Sequence, residues 1–165
     1  MFTATSLARL DLVHPELKRR VFAMDKILEP DLSGIYFLVA QGLRTWAEQE
    51  AIWAVGRTLP GKRVTDARGG HSAHNFGYAV DLCPEDMDGH PDWNIKHSTW
   101  QRMLAVGLEV GLAEGCAWRS FPDNPHFYLK EFPADPTDTM RIDFKNAGMV
   151  SVWQKFDVPI DSQSA

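Results

Sequence analysis

The sequence predicts an α+β domain: a small antiparallel β-sheet flanked by helices. Three observations carry this reading. Runs at 35–40, 78–82 and 126–129 are rich in β-formers and too short for helices. Around them lie stretches whose apolar residues recur at helical spacing, and long polar loops join the two kinds of segment. With 165 residues, 44% of them hydrophobic, the chain fits one domain with its own core and leaves no room for a second folded module.

Residues 3–13 form a short lead-in segment. From His14 to Glu29, Leu17, Val21, Met24 and Leu28 mark an amphipathic helix, with Pro15 in its first turn and Pro30 ending it. Ile35–Ala40 reads as a buried strand that stops at Gln41-Gly42. Thr45 and Glu48 make a capping box opening a helix through about Arg57, so Arg44 sits at a strand-to-helix junction. Residues 58–70, full of turn formers and charges, read as a flexible loop bordering a cleft. The stretch 84–92 is acidic but lacks the ligand spacing of a calcium loop, and reads as solvated. Ser98 and Gln101 form a second capping box. Trp100, Leu104, Leu108 and Leu112 then predict a helix ending near Gly115, followed by a strand at Cys116–Trp118. Beyond Leu129, Met140, Phe144, Met149, Val152, Trp153 and Phe156 predict one broken helix or two short ones around Gly148, packed back on the domain over about 135–158. The final DSQSA is expected to fray.

Charge and cysteine usage exclude several classes. A net charge of −5, with no basic cluster longer than Lys18-Arg19-Arg20, argues against a nucleic-acid binder. No apolar run reaches the roughly 18 residues a membrane-spanning helix requires, and the N-terminus does not read as a signal peptide. A monomer made in the cytoplasm is expected. Cys83 and Cys116 are too few for a disulfide framework and lack CxxC spacing, which favours free buried thiols over a bridge.

The chemistry concentrates in two stretches, Gly70–Asp81 (GHSAHNFGYAVD) and Asp123–Leu129 (DNPHFYL). A catalytic zinc takes three protein ligands and leaves one position open. His74, Asp81 and His126 supply such a set, with Asp123 as a spare acid or base. Strand alternation turns Asp81 to the face opposite Val80 and Leu82, and His126 to the face opposite Phe127 and Leu129. An aspartate inside an apolar strand needs a cation, because an unpaired buried carboxylate costs on the order of several kcal/mol. Asp123 lies in a turn constrained by Pro122 and Pro125, near the metal without being a ligand, and is the candidate proton shuttle. Ser72 is suited to hydrogen-bond a substrate. His71 reads as a non-ligand, and His14, His90 and His97 have no partner pattern.

Ser72-x-His74-x-x-Gly77-x-Ala79-x-Asp81, followed by Trp118-x-x-Phe-x-Asp123-x-Pro125-His126-Phe127, resembles the zinc D-Ala-D-Ala carboxypeptidase family, peptidase family M15. Gly42-x-Arg44-Thr45-x-x-Glu48-Gln49 and Gly56-Arg57-Thr58-x-Pro60-Gly61 extend the resemblance over about 30–130, and the chain looks most like the phage-encoded L-alanyl-D-glutamate endopeptidases. That resemblance implies one Zn2+ per chain and hydrolysis of the L-Ala–D-Glu bond in peptidoglycan stem peptides. The setting it implies is phage lysis, with the enzyme reaching the wall after release across the membrane. It also implies that Arg44 stabilises developing negative charge and that Gln49 contacts substrate. Many relatives carry glutamate at position 123, and the aspartate here matches the phage branch. Relatives often have a second glycine where Cys116 stands. A D-Ala-D-Ala carboxypeptidase or dipeptidase with the same zinc chemistry, and a non-catalytic zinc-stabilised wall-binding domain, are the alternatives. A wall-binding role for the C-terminal extension is a further one.

Overall fold

The computed structural model describes residues 2–31, 36–86, 88, 90–93, 97–115, 123, 125–133 and 135–156. Its elements are α1 (Ala4–Leu10), α2 (Pro15–Asp31), β1 (Tyr36–Gln41), α3 (Trp46–Ala54), a 3-10 turn (Ala73–Phe76), β2 (Ala79–Glu85), α4 (His97–Glu109), β3 (Leu112–Glu114), β4 (His126–Leu129) and α5 (Asp138–Lys155). The four strands form one antiparallel sheet in the order β1-β2-β4-β3. This is the expected α+β class, with a small antiparallel sheet flanked by helices.

The residues 3–13 form more than a lead-in. Thr3 caps α1, and the helix lies along β1, an edge of the sheet. An open edge offers unpaired backbone groups to any passing strand. Here Ser6 Oγ accepts from the Val39 amide at 3.0 Å and the Arg9 guanidinium donates to the Val39 carbonyl at 2.5 Å, so two α1 side chains satisfy the backbone groups of Val39 in the middle of the strand. Seven residues are too few for a helix to persist by propensity, and this docking is what sustains α1.

Leu17, Val21, Met24 and Leu28 are buried, as the stripe on α2 predicts, and they join one core with Val80, Leu82, Phe127 and Leu129. α3 opens on the Thr45–Glu48 capping box but ends at Ala54, three residues before the expected Arg57. Val55 is already extended, and Gly56 turns the chain at φ +73, where a β-carbon would meet the Arg63 amide nitrogen at 2.6 Å. The segment 58–70 is irregular, as expected, but fastened to α3. Arg57 and Arg68 lie on the Trp53 ring at 4.6 and 4.4 Å, Arg57 and Arg63 share Asp66, and Arg68 pairs with Glu50.

α4 ends at Glu109 and not near Gly115. Gly111, at φ +85, breaks it, and Leu112 pairs with Leu129 in β3. A leucine every four residues drifts by about 40° per step at 100° per residue, so the Trp100–Leu112 series leaves the core face, and Leu108 is 55% exposed. Met103 and Val106 take its place. The helix starts at His97, so Ser98 lies inside the first turn and does not cap it. The strand expected at Cys116–Trp118 and the DSQSA tail fall outside the described residues. α5 spans 138–155 with Gly148 non-helical at φ 79, ψ 179, which is the expected break. It packs back on the domain: Trp153 Nε1 donates to the Phe76 carbonyl at 2.7 Å, and the His14 ring sits between Tyr78 and Trp153.

Two features generate predictions. A β-carbon on Gly107 of α4 would stand 2.5 Å from the buried Phe127 ring. Alanine gains about 1 kcal/mol of helix propensity there but overpacks the core at about 1–3 kcal/mol. Gly107→Ala is therefore expected to lower stability in denaturant melts, and equal or higher stability would contradict the packing. The buried Glu16 carboxylate is bound by Arg19 and Arg20, and Arg20 continues to Glu131. Burial acts to raise the Glu16 pKa, but the two arginine hydrogen bonds outweigh it and hold the carboxyl below its usual value; Glu131 is lowered likewise. Such groups contribute stability above their unfolded value of about 4.3, and the contribution is lost as the pH falls through the lower folded value. Stability measured from neutral pH downward should fall below about pH 4.3, and Glu16→Gln should flatten that fall while costing about 1–3 kcal/mol at pH 7.

Candidate metal centre

The cross-strand register builds the site's floor. Asp81 of β2 pairs directly with His126 of β4, and Ala79 with Tyr128, so both site side chains leave the sheet on the face opposite Val80 and Phe127. His74 comes from the 3-10 turn just before β2. Ser72 caps that turn by accepting from the His74 amide at 3.3 Å, and Gly77 closes it at φ +71. Buried Asn75 ties the turn to its surroundings: Oδ1 accepts from the Gly70 amide at 2.9 Å and Nδ2 donates to the Arg44 carbonyl at 2.9 Å.

Three ligand atoms converge. His74 Nε2 lies 3.0 Å from His126 Nδ1 and 3.2 Å from Asp81 Oδ1, and the third edge, His126 Nδ1 to Asp81 Oδ1, is 3.3 Å. Atoms bound to a tetrahedral ion at about 2.0–2.1 Å stand roughly 3.3–3.4 Å apart, so the triangle fits such an ion with shifts of a few tenths of an ångström. One proton can bridge only two of these atoms, whereas a cation satisfies all three. The tautomer also fits. His74 Nδ1 is 2.8 Å from the Gly42 carbonyl, which can only accept, so Nδ1 carries the hydrogen and the Nε2 lone pair faces the triangle. Among the described residues this is the group of three histidine, cysteine or acidic side chains placed to hold a metal ion.

Arg44 reaches the same centre from the β1–α3 junction. Its Nη2 is 3.7 Å from Asp81 Oδ2, the oxygen outside the triangle, and its amide donates to the His74 carbonyl at 3.1 Å. Asp123 lines the same cavity of about 400 Å³, together with Ser72 and His71. The Asp123 amide donates to the Gly115 carbonyl at 3.1 Å, and its own carbonyl accepts from the His126 amide at 3.3 Å. Gly115 permits that approach, because a β-carbon there would meet the Asp123 oxygen at 2.9 Å.

Two carboxylates in one cleft are driven apart. Burial acts to raise the Asp81 pKa, but the two imidazoles outweigh it and hold the carboxyl far below its usual range. Burial, reinforced by the Asp81 charge, pushes Asp123 up to about 6. Cys83, two residues beyond Asp81, is a free, buried thiol pushed up to about 12, first by burial and then by Asp92, so it stays protonated. Cys116 lies outside the described residues.

The structure thus brings His74, Asp81, His126, Asp123, Arg44 and Ser72 to one cavity. Gln49 is different: expected at the substrate, it is fully buried behind Arg44. Sequence reasoning did not find the Gly42 carbonyl or the Asn75 amide as supports of the site, since neither residue type at those positions signals a long-range hydrogen bond.

A family model described as D-alanyl-D-alanine carboxypeptidase matches residues 65–129. The peptidoglycan L-alanyl-D-glutamate endopeptidase CwlK of Bacillus subtilis (strain 168) is 31% identical over 124 residues, covering 71% of this chain and 73% of CwlK. The chain belongs to the M15 peptidase family. As an M15 peptidase it is an enzyme of the metallopeptidase class, and the convergent triad is the donor set such chemistry requires. The matched stretch of the M15 model contains His74, Asp81, Asp123 and His126, whereas Arg44 and Gln49 lie outside it. Solved M15-like structures share the fold. The L-Ala D-Glu endopeptidase ChiX of Serratia marcescens superposes with a TM-score of 0.56 at 24% identity, covering 79% of this chain and 90% of ChiX. The L,D-carboxypeptidase DacB from Streptococcus pneumonia gives 0.51 at 16% identity, covering 88% of this chain and 77% of DacB.

Wild-type protein is expected to bind one divalent ion per chain and to gain about 2.7 kcal/mol of stability at a free-ion concentration a hundred times its Kd. Metal analysis of His74→Ala, Asp81→Ala and His126→Ala should show the ion lost from each. Full occupancy in any of the three would remove that residue from the set.

Proposed function

We propose that this M15 peptidase is a zinc enzyme that hydrolyses the L-Ala–D-Glu bond of peptidoglycan stem peptides. The observation that carries the reading is the meeting, on one cavity, of a three-atom ligand set, a separate carboxyl at Asp123 and a cation at Arg44. A binding or structural domain needs the ligands alone. The choice of bond rests on the similarity to CwlK, whose name gives that activity. Two imidazoles and a carboxylate are a donor set suited to zinc.

His74, Asp81 and His126 would hold the ion, which supplies a Lewis acid for the scissile carbonyl and lowers the pKa of water. The chain's own groups do the rest. Asp123, its pKa raised to about 6, can exist both protonated and ionised near neutral pH. It takes the proton from the attacking water and returns it to the leaving amine. Asp81, held ionised, cannot share that task. Arg44 presents a fixed positive charge beside the place where the carbonyl oxygen becomes negative. Ser72, partly exposed on the cavity wall, offers a hydroxyl to the substrate backbone.

The biological setting we assign is phage lysis, with the wall as site of action, on the strength of the Gly42–Gln49 and Gly56–Gly61 elements shared with phage endopeptidases. Among the described residues no helix is long and apolar enough to cross a membrane. Cleavage of a terminal D-Ala, by a D-Ala-D-Ala carboxypeptidase acting through the same residues, is the second reading, favoured by the family description.

Mass spectrometry of muropeptides digested with and without chelator separates these readings. Stem peptides freed at L-Ala support the first, loss of one terminal alanine supports the second, and an inert metal-loaded enzyme defeats both. In the same assay Asp123→Ala should keep its metal and lose about 10²–10⁴-fold in turnover; wild-type turnover in that variant would end the role assigned to Asp123.

A further inference from the structure

Gln49 is the one buried residue of α3, with no accessible surface. A buried amide is costly unless its polar atoms are paired, and here they are. Gln49 Oε1 accepts from Arg44 Nη1 at 2.9 Å, and Nε2 donates to the Ala67 carbonyl at 2.8 Å and lies 3.4 Å from Thr65 Oγ1. Arg44, Thr65 and Ala67 all line the cavity, and Gln49 lies behind them. A side chain so enclosed cannot reach a substrate.

The Arg44 backbone is already fixed from the opposite side. Its amide donates to the His74 carbonyl and its carbonyl accepts from Asn75 Nδ2. What remains free is the long side chain, and its guanidinium lies 3.7 Å from Asp81 Oδ2, with Asp123 also acting on it. Two carboxylates therefore compete for a cation that must face the cavity. A neutral acceptor holds one edge of the guanidinium without cancelling its charge, and the Gln49 amide is that acceptor.

We infer that Gln49 is a positioning residue: it sets the Arg44 guanidinium toward the cavity and couples it to the Thr65–Ala67 wall, and it does not contact substrate. The inference rests on the proposed peptidase reading for its kinetic consequence, but not for the geometry.

The test is a double-mutant cycle on soluble disaccharide-tetrapeptide muropeptide, using metal-loaded full-length protein. Gln49→Met should lower kcat about 10–100-fold, as loss of a supporting hydrogen bond does elsewhere, with KM within about twofold and metal content unchanged. In an Arg44→Ala background the same substitution should change kcat by less than about twofold, because its effect runs through Arg44. Gln49→Glu keeps an acceptor for the guanidinium but adds a negative charge that offsets it, so kcat should stay low while Arg44 stays held. Three results would overturn the inference: a rise in KM with kcat intact, an equal loss in the Arg44→Ala background, or a Gln49→Glu enzyme with wild-type kcat. An activity-free readout separates this from failure of the function itself. Arginine-selective 15N NMR, with the signal assigned by its loss in Arg44→Ala, should show restricted Arg44 guanidinium rotation in wild type and in Gln49→Glu, and free rotation in Gln49→Met, where the acceptor is lost. If wild type digests no muropeptide, the peptidase reading fails and the NMR alone decides; a freely rotating wild-type Arg44 would then refute the positioning role.

Discussion

Three polar atoms held within 3.0–3.3 Å of one another, on nearly buried side chains, form the constraint around which the fold is arranged. Such a cluster is costly unless it is satisfied, and the surrounding structure is shaped to keep it from dispersing. The Asp81–His126 register fixes two members on one face of the sheet. The third is fixed by a loop fastened to the β1–α3 junction through the Gly42 carbonyl, the Arg44 amide and Asn75. Behind the sheet, Phe127 packed on Gly107 keeps β4 from shifting. At its edge, α1 side chains satisfy the backbone groups of Val39 in β1.

Catalytic competence then depends on environments that differ over a few ångströms. Asp81 faces two imidazoles on one oxygen and an arginine beyond the other, and stays ionised. Asp123, on the cavity wall, has burial and a neighbouring negative charge against it, and moves up to about 6. The same residue type acquires two roles from position alone. Arg44 belongs to both environments, which is why its orientation matters and why a neutral amide behind it is physically meaningful.

Much of this was legible in the sequence because the signals were local. Alternation in AVDLC and HFYL showed which face Asp81 and His126 would take. The Thr45–Glu48 box marked the start of α3, and Gly148 marked the break in α5. Signals that depend on tertiary context misled. The leucine series of α4 extended into β3 because its four-residue spacing drifts around a helix and Gly111 interrupts it. α1 was read as a lead-in because its stability comes from the edge of a strand thirty residues away. Substrate contact by Gln49 is what the family resemblance implies, and a glutamine near an arginine gives no sign in the sequence that it is the buried one. The support given by Asn75 is equally invisible, since its partners at Gly70 and Arg44 come from separate segments.

The central claim is that His74, Asp81 and His126 bind one ion through two nitrogens and an oxygen, with the cysteines outside the site. X-ray absorption at the metal edge of the zinc-loaded protein tests it most directly. The account predicts a first shell of nitrogen and oxygen scatterers alone at about 2.0–2.1 Å, with the imidazole outer-shell pattern of two histidines. A sulfur scatterer at about 2.3 Å, or the pattern of fewer than two imidazoles, would contradict it.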